Sequence, residues 1–322
     1  MKKFHYGIIS AASIVPRFVS ALNESKHSRA IAIGSSSLKR SEKLAKELKI
    51  PTAYGSYLEI YEDPKIDIVY IANINENHFE EIINALNHGK HVLCEKPFVL
   101  DPKQVSQIFD LASEKNLFVM EAQKAVFLPT TQYVKKCIEN KKYGKLNQIQ
   151  VSASFGSRFE KGHWMYDKHQ GGALFGSGSY IIEYLLYLLD DPSFEYQALT
   201  HLGDSDEIDD VAIQFKFNQD LLASTHLTTR THTHNIAHFH FDDAIISIKN
   251  FWKSRKLKIH YHDNQESDVR KFSNVPEMVY EIEHVYDCIM DNKITSPYMT
   301  KNITEKCVTL VDEIYQTTLE QS

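Results

Sequence analysis

The sequence predicts an α/β chain: an N-terminal domain on a parallel, doubly wound sheet, then an α+β domain on a large, mostly antiparallel open sheet. Two observations predict it. Up to Met120, short apolar runs alternate with amphipathic helical patterns, the mark of βαβ units. Beyond Ile149, strand-like runs follow one another with few helices between them, which favours antiparallel pairing. A chain of 322 residues has room for two domains at about 150 residues each. The boundary is expected near residue 122, giving 1–122 and 123–322, with no internal repeat and no low-complexity linker.

The elements follow in order. Residues 6–10 form an apolar strand and 14–23 carry helical spacing. Residues 30–33 are apolar again, and 39–48 read as a charged amphipathic helix. The near-continuous apolar run 66–72 suits a strand covered on both faces. A helix over 77–87 stops at Gly89, and 91–95 is the fourth strand. Asp101 and Pro102 open a helix to residue 115, and 117–120 is the fifth strand. In the second half, strands are expected at 149–155, 213–217, 224–230, 239–241, 245–248 and 257–262. Helices are expected at 180–189, 277–290 and 303–319.

Composition excludes several classes. The hydrophobic fraction is 43% and the charged fraction 24%, which is globular rather than collagen-like or disordered. Lys plus Arg is 36 against 42 Asp plus Glu, a net charge of −6, and this argues against a nucleic-acid partner. Met1-Lys2-Lys3 is followed by Phe4, His5, Tyr6 and Gly7, not by the apolar core of a signal peptide, so a cytoplasmic protein is expected. The longest apolar stretch, 184–189, is too short to span a membrane. Cys94, Cys137, Cys288 and Cys307 have no C-x-x-C spacing and are expected as buried free thiols.

Three local patterns carry chemistry. Ser10-Ala11-Ala12-Ser13-Ile14 follows the first strand, with Ser10 and Ala12 where a dinucleotide fingerprint has glycines. Small residues there let the backbone approach a pyrophosphate at a helix N-terminus; a simple tight turn is the other reading. After the second strand comes Gly34-Ser35-Ser36-Ser37-Leu38-Lys39-Arg40. It lacks the Asp or Glu that binds an NAD ribose, and its hydroxyls and cations suit the 2′-phosphate of NADP. A serine-rich capping loop is the alternative. After the fourth strand, Cys94-Glu95-Lys96-Pro97 aims Lys96 at the crevice beyond the carboxyl ends of the strands. Pro97 holds Lys96 out of helical geometry, where it could bond a substrate oxygen.

The segment with Tyr70-Ile71-Ala72, Asn75, His78 and Gly89-Lys90-His91-Val92-Leu93-Cys94-Glu95-Lys96-Pro97 resembles the Gfo/Idh/MocA family (glucose–fructose oxidoreductase, inositol dehydrogenase, rhizopine catabolism). Met120-Glu121-Ala122 with Phe127 and Pro129 resembles it too, as does Gly171-Gly172-Ala173-Leu174 with Gly178 and Tyr180. The likeness spans essentially the whole chain and is nearest to the dimeric dihydrodiol dehydrogenase branch. It implies hydride transfer between NADP, or NAD, and a sugar, polyol or dihydrodiol-like small molecule. It also implies a homodimer or homotetramer formed through the C-terminal sheet.

By position, the resemblance places Ser10, Ala11, Ala12, Ser13 and Ile14 on the pyrophosphate, and Ser35, Ser36 and Arg40 around the adenine ribose. Asn73, Ile74, Asn75 and His78 flank the nicotinamide half, with Glu95, Lys96 and Gln123 beside the ring. Lys96 and Tyr180 are the catalytic pair, with Tyr180 also a substrate contact. Apart from the resemblance, Trp164 lies just before the glycine-rich segment, where it could wall the substrate pocket; a buried aromatic is the other reading. The family's carboxylate position is Gly176 here. A phenol ordinarily ionises near pH 10, so Tyr180 needs a cation, and Lys96 is the one expected to supply it. The lost carboxylate keeps a second reading open, a catalytically silent NADP-binding sensor; a structural subunit without cofactor is a third.

Other patterns take plain readings. His232 with His234, His238 with His240 and His260 with His262 could each chelate from one strand face, but exposed strand positions explain them and no metal is expected. The acidic residues between 204 and 210 read as a solvated loop. Phe251-Trp252 is expected to cover the open sheet or a subunit contact.

Overall fold

The computed structural model describes residues 3–155, 162–218, 220–263 and 266–321. The chain forms two compact units: Met1–Gln123 with Val275–Val308, and Lys124–Asn274 with Thr309–Ser322.

The first unit begins β1 (Phe4–Ile9), α1 (Val15–Glu24), β2 (Ser28–Gly34), α2 (Leu38–Leu48), β3 (Thr52–Tyr54) and α3 (Tyr57–Glu62). It continues β4 (Ile68–Ile71), α4 (His78–Asn87), β5 (His91–Glu95), α5 (Pro102–Glu114) and β6 (Val119–Ala122). All six strands are parallel, in the order β3-β2-β1-β4-β5-β6, as the alternating pattern predicts. All four residues of β4 are buried, because a parallel sheet carries helices on both faces. A Cβ on Gly7 of β1 would come within 2.8 Å of Ile60 on α3 and 2.7 Å of Ile66, so glycine lets that layer close on the sheet. β3 and α3 escape the sequence reading because they are too short to show a period. α3 is announced only by its capping box, in which Ser56 and Glu59 satisfy each other's backbone N–H groups. The chain order reverses between β1 and β4, which opens a crevice at the carboxyl ends of those strands.

The second unit holds α6 (Lys124–Phe127), α7 (Pro129–Glu139), β7 (Leu146–Ser154), α8 (Gly172–Ser177) and α9 (Ser179–Leu188). Then come β8 (Phe194–Leu202), β9 (Ile208–Phe217), β10 (Leu221–Thr228), β11 (Ile236–Phe241), β12 (Ala244–Lys249), β13 (Lys256–Tyr261) and β14 (Ser267–Lys271). The eight strands run β14-β13-β12-β11-β7-β10-β9-β8. Every pairing is antiparallel except β7 with β10. Ile149, Val151, Phe215, Phe239, Ile246 and Ile259 are buried on the inner face. The register puts Gln214, Ser224, Gln150, His238 and Ser247 in one row across the outer face. α9 is buried at all ten positions, as expected of a helix that is apolar nearly all round. β14 is exposed throughout and has no apolar alternation to announce it.

Two helices close the chain, α10 (Val279–Met290) and α11 (Lys301–Gln321). α10 belongs to the first unit, where Tyr286 meets Phe4 at 5.6 Å and stacks on His27 at 4.2 Å between ring centroids. Glu283 of α10 accepts from Ser25 Oγ at 2.6 Å. All four cysteines are buried and unpaired as disulfides. Among the described residues no helix is long and apolar enough to cross a membrane.

Candidate active site

The turn after β1 is tight. Ser10 has φ 87°, a region in which glycine sits without steric cost, and its N–H donates to Gly34 O at 2.8 Å. Ala11, Ala12, Ser13 and Ile14 lead into α1, whose first turn contains Pro16 and takes no side-chain cap. This is the local form an anion-binding helix start requires. After β2 the three serines divide. Ser35 is 1% exposed, and its hydroxyl donates to Ser37 O at 2.9 Å and bonds Ser41 Oγ at 2.9 Å. It shapes the loop. Ser36 and Arg40 are exposed, with Arg40 Nη2 donating to Ser36 Oγ at 2.8 Å. They present a hydroxyl and a guanidinium together. At the end of β4, both polar atoms of the Asn73 amide are buried without a protein partner. Buried amides are nearly always paired, so this one fits a ligand that donates and accepts, as a nicotinamide carboxamide does. The residues present therefore fit a nicotinamide dinucleotide.

Lys96 is half-buried just past β5, on a turn gripped by buried polar groups. Tyr70 Oη donates to Glu95 Oε1 at 2.6 Å. His78 Nδ1 lies 2.8 Å from Pro97 O, and its Nε2 lies 3.3 Å from Asn73 O. Burial pushes His78 below its ordinary range, so the imidazole is neutral and its single N–H suits the shorter contact. Phe98 N donates to Glu121 Oε1 at 3.0 Å, while Glu121 Oε2 accepts from Thr304 Oγ1 at 3.0 Å. Glu121 is 1% exposed. The peptide between Lys96 and Pro97 is cis. His78, expected on the nicotinamide, has both ring nitrogens on backbone carbonyls and ties the loop after β4 to the Lys96 turn. Asn75 is buried in a short 3₁₀ turn, Asn75–Asn77, just after Ile74. Gln123 is fully buried at the end of β6. The sequence reading missed Tyr70, Glu121 and Thr304 as supports.

In the second unit Tyr180 is the second residue of α9. Lys124 Nζ donates to its hydroxyl and lies 4.6 Å from the centre of its ring. Phe155 stacks on the Tyr180 ring at 5.7 Å, Trp252 lies at 5.8 Å, and Phe155 and Trp252 are 4.8 Å apart. Lys124 thus sets an ammonium on the phenol. Lys124 falls in no motif and was missed. Trp252 is buried against these rings. Trp164 is half-buried in a 3₁₀ turn, Trp164–Tyr166, with its ring 5.6 Å from that of His163. A Cβ on Gly171 would lie 2.5 Å from Trp164 O, so that turn needs glycine beneath it. At Gly176 a Cβ would lie 3.2 Å from the Met165 thioether, so Met165 crowds the space that a side chain at this position would enter.

Of the histidine pairs only His238 and His240 both lie in a strand, β11; His232 and His234 precede it, and His262 falls just past β13, which holds His260. His238 and His240 have rings 6.1 Å apart, and burial pushes both below their ordinary range. Among the described residues no group of three or more His, Cys, Asp or Glu is arranged to hold a metal ion.

A family model described as "Oxidoreductase family, NAD-binding Rossmann fold" matches residues 4–123. The GFO/IDH/MocA C-terminal domain matches residues 131–248. The chain belongs to the Gfo/Idh/MocA family. It is accordingly an NAD(P)-binding oxidoreductase on a Rossmann domain. It is 29% identical over 324 residues to a trans-1,2-dihydrobenzene-1,2-diol dehydrogenase of Xenopus tropicalis, covering 97% of each chain. It is 26% identical over 300 residues to the scyllo-inositol 2-dehydrogenase (NADP(+)) IolU of Bacillus subtilis, covering 90% of each. Among solved structures, a 3-ketoreductase from Actinomadura kijaniata in complex with NADP and TDP-benzene superposes with TM-score 0.86 at 21% identity, over 97% of this chain and 96% of that one. A levoglucosan dehydrogenase in complex with NADH and L-sorbose gives TM-score 0.87 at 18% identity, over 100% and 98%. These two likenesses speak to the fold.

Proposed function

We propose that the protein is an NADP-preferring dehydrogenase or reductase acting on a hydroxyl or carbonyl of a sugar, polyol or dihydrodiol-like substrate in the cytoplasm. The buried grip on the Lys96 turn carries this reading: His78 and Glu121 hold its backbone at Pro97 and Phe98, while Tyr70 holds the Glu95 carboxylate and Thr304 holds Glu121. Such pre-organisation is what orienting a reacting oxygen demands. The expected boundary near residue 122 is kept, but 275–308 return to the first unit; that unit serves the dinucleotide, and 124–274 with 309–322 serve the substrate and assembly. Ser10, Ala11, Ala12, Ser13 and Ile14 receive the pyrophosphate, Ser36 and Arg40 the 2′-phosphate, and Asn73 the carboxamide. The cofactor, when bound, accepts or supplies the hydride. Lys96 orients the reacting oxygen, Tyr180 exchanges its proton, and Trp164 contacts the substrate.

The thermal midpoint titrated in parallel with NADPH and NADH tests the reading. A ligand at about 100 times its Kd stabilises by roughly 2.7 kcal/mol. The expected shift is larger with NADPH, and Arg40→Ala narrows the difference. No shift with either cofactor overturns the reading. Hydroxyl and carbonyl substrates from sugars, polyols and dihydrodiols are then screened for turnover. One observation favours the silent sensor: Met165 packs against Gly176, the position at which the family resemblance would put a carboxylate. Turnover of any substrate removes that alternative.

We further propose a homodimer or homotetramer through the outer face of the eight-stranded sheet. That face carries few charges in its central row and exposes Leu199 and Leu222. A monomer in sedimentation at micromolar concentration would refute it.

A further inference from the structure

We propose that Lys124 is a positioning residue of the proton-transfer step, fixing the direction of the Tyr180 hydroxyl and compensating the charge on its oxygen when the proton leaves. The inference rests on the reading of Tyr180 as the proton-exchanging group, and the experiment below separates the two.

The observations are local to the second unit. Lys124 is 3% exposed, and lysine is rarely buried so far without a dedicated partner. Its ammonium donates to Tyr180 Oη and lies over the same ring. An ammonium has three protons and no acceptor, so the phenol oxygen must accept. The phenol's own proton then points away from Lys124. Phe155 and Trp252 pack on the Tyr180 ring, which leaves the ring little freedom to turn. The groups that meet Tyr180 from neighbouring elements include one cation, Lys124, and two uncharged rings, Phe155 and Trp252. On α9 itself the buried Glu183 lies three residues on.

This arrangement does two things that a lone tyrosine would not. It makes Tyr180 a donor of fixed direction. It also gives a phenolate a counter-charge before the phenolate forms, which is how a preorganised site lowers a barrier. In carbonyl reduction, hydride adds to the carbonyl carbon, the Tyr180 O–H bond breaks, and a new O–H bond forms on the product alcohol. Tyr180 is left as phenolate beside the Lys124 ammonium, and solvent restores its proton. In alcohol oxidation the phenolate takes the hydroxyl proton as hydride departs. Lys124 stays protonated throughout.

The test uses Lys124→Arg, which keeps charge and donor, Lys124→Gln, which keeps a donor without charge, Tyr180→Phe, and the double variant Lys124→Gln/Tyr180→Phe. The expected result is a loss of kcat at pH 7 of tenfold or more in Lys124→Gln, with KM for the cofactor unchanged. Raising the pH narrows that loss in the oxidative direction, Lys124→Arg recovers most of it, and the double variant is no slower than Tyr180→Phe. Full turnover in Lys124→Gln, or losses that add in the double variant, overturns the proposal. If Tyr180→Phe alone leaves turnover unchanged, the reading of Tyr180 itself has failed. A measurement independent of any substrate is the alkaline difference spectrum between each Lys124 background and its Tyr180→Phe counterpart, which isolates the Tyr180 phenolate. That spectrum is expected to develop at lower pH with Lys124 than in Lys124→Gln. Coincident curves also overturn the proposal.

Discussion

Lys96 and Lys124 are held in opposite ways. Lys96 owes its position to backbone: Pro97 O and Phe98 N are gripped by His78 and Glu121, and the neighbouring Glu95 by Tyr70. Lys124 owes its position to side chains, an ammonium against a phenol that is itself walled by Phe155 and Trp252. A group fixed through backbone is sensitive to remote polar substitutions that leave its own side chain intact. A group fixed by rings is sensitive to charge and shape at the contact itself.

The largest expected effect breaks the first side of this contrast directly. Lys96→Ala should lower turnover by about 10²- to 10⁴-fold, the range typical of losing a group that assists proton transfer. The thermal shift with NADPH should persist; unchanged turnover would remove Lys96 from the mechanism.

The next effect concerns the stability of the first unit. His284 on α10 is half-buried, and its partial burial, aided by the charge of Lys293, lowers it from 6.5 to about 4. Between those values the unfolded chain binds a proton that the folded chain does not. Stability should therefore fall as pH drops from 6.5 towards 4, by about 3 kcal/mol from this group at 1.36 kcal/mol per pH unit. Urea unfolding of wild type and His284→Gln at several pH values checks it. The variant should lose the extra acid slope whatever its stability at pH 7.

Glu121→Gln sharpens the comparison further. It keeps the shape but weakens two buried hydrogen bonds, at a cost of roughly 1–3 kcal/mol. Because it acts through the Lys96 turn, kcat should fall while KM for the cofactor changes little. A loss of stability with kcat intact would show that the grip only supports the fold.

Ser10→Gly should have the smallest effect. It relieves a positive φ but loosens the unfolded chain, so stability should change by less than about 1 kcal/mol. Cofactor affinity should hold or improve. A tenfold weaker NADPH affinity would mean that the Ser10 hydroxyl binds the ligand.

What was legible in the sequence follows from the distance between partners. β4 and β5 announce themselves because strands buried on both faces need continuous apolar runs, and Lys96-Pro97 sits at the end of one. The grip on that turn was not legible: Glu121 meets partners 23 and 183 residues away. Lys124 and Tyr180 are separated by 56 residues, and no local period links them. β3, α3 and β14 lack the length or the apolar alternation that a pattern needs. The three serines after β2 look equivalent in sequence, and only burial separates Ser35 from Ser36.

The return of residues 275–308 to the first unit bears on biosynthesis. On a ribosome, the nucleotide-binding unit is made first but must wait for nearly the whole chain before α10 can cover Phe4 and His27. Until then that flank of β1 and β2 is an exposed apolar surface, the kind of species chaperones hold. A fragment ending at Gln123 would leave the same surface bare, so aggregation rather than soluble cofactor binding is the outcome expected of it.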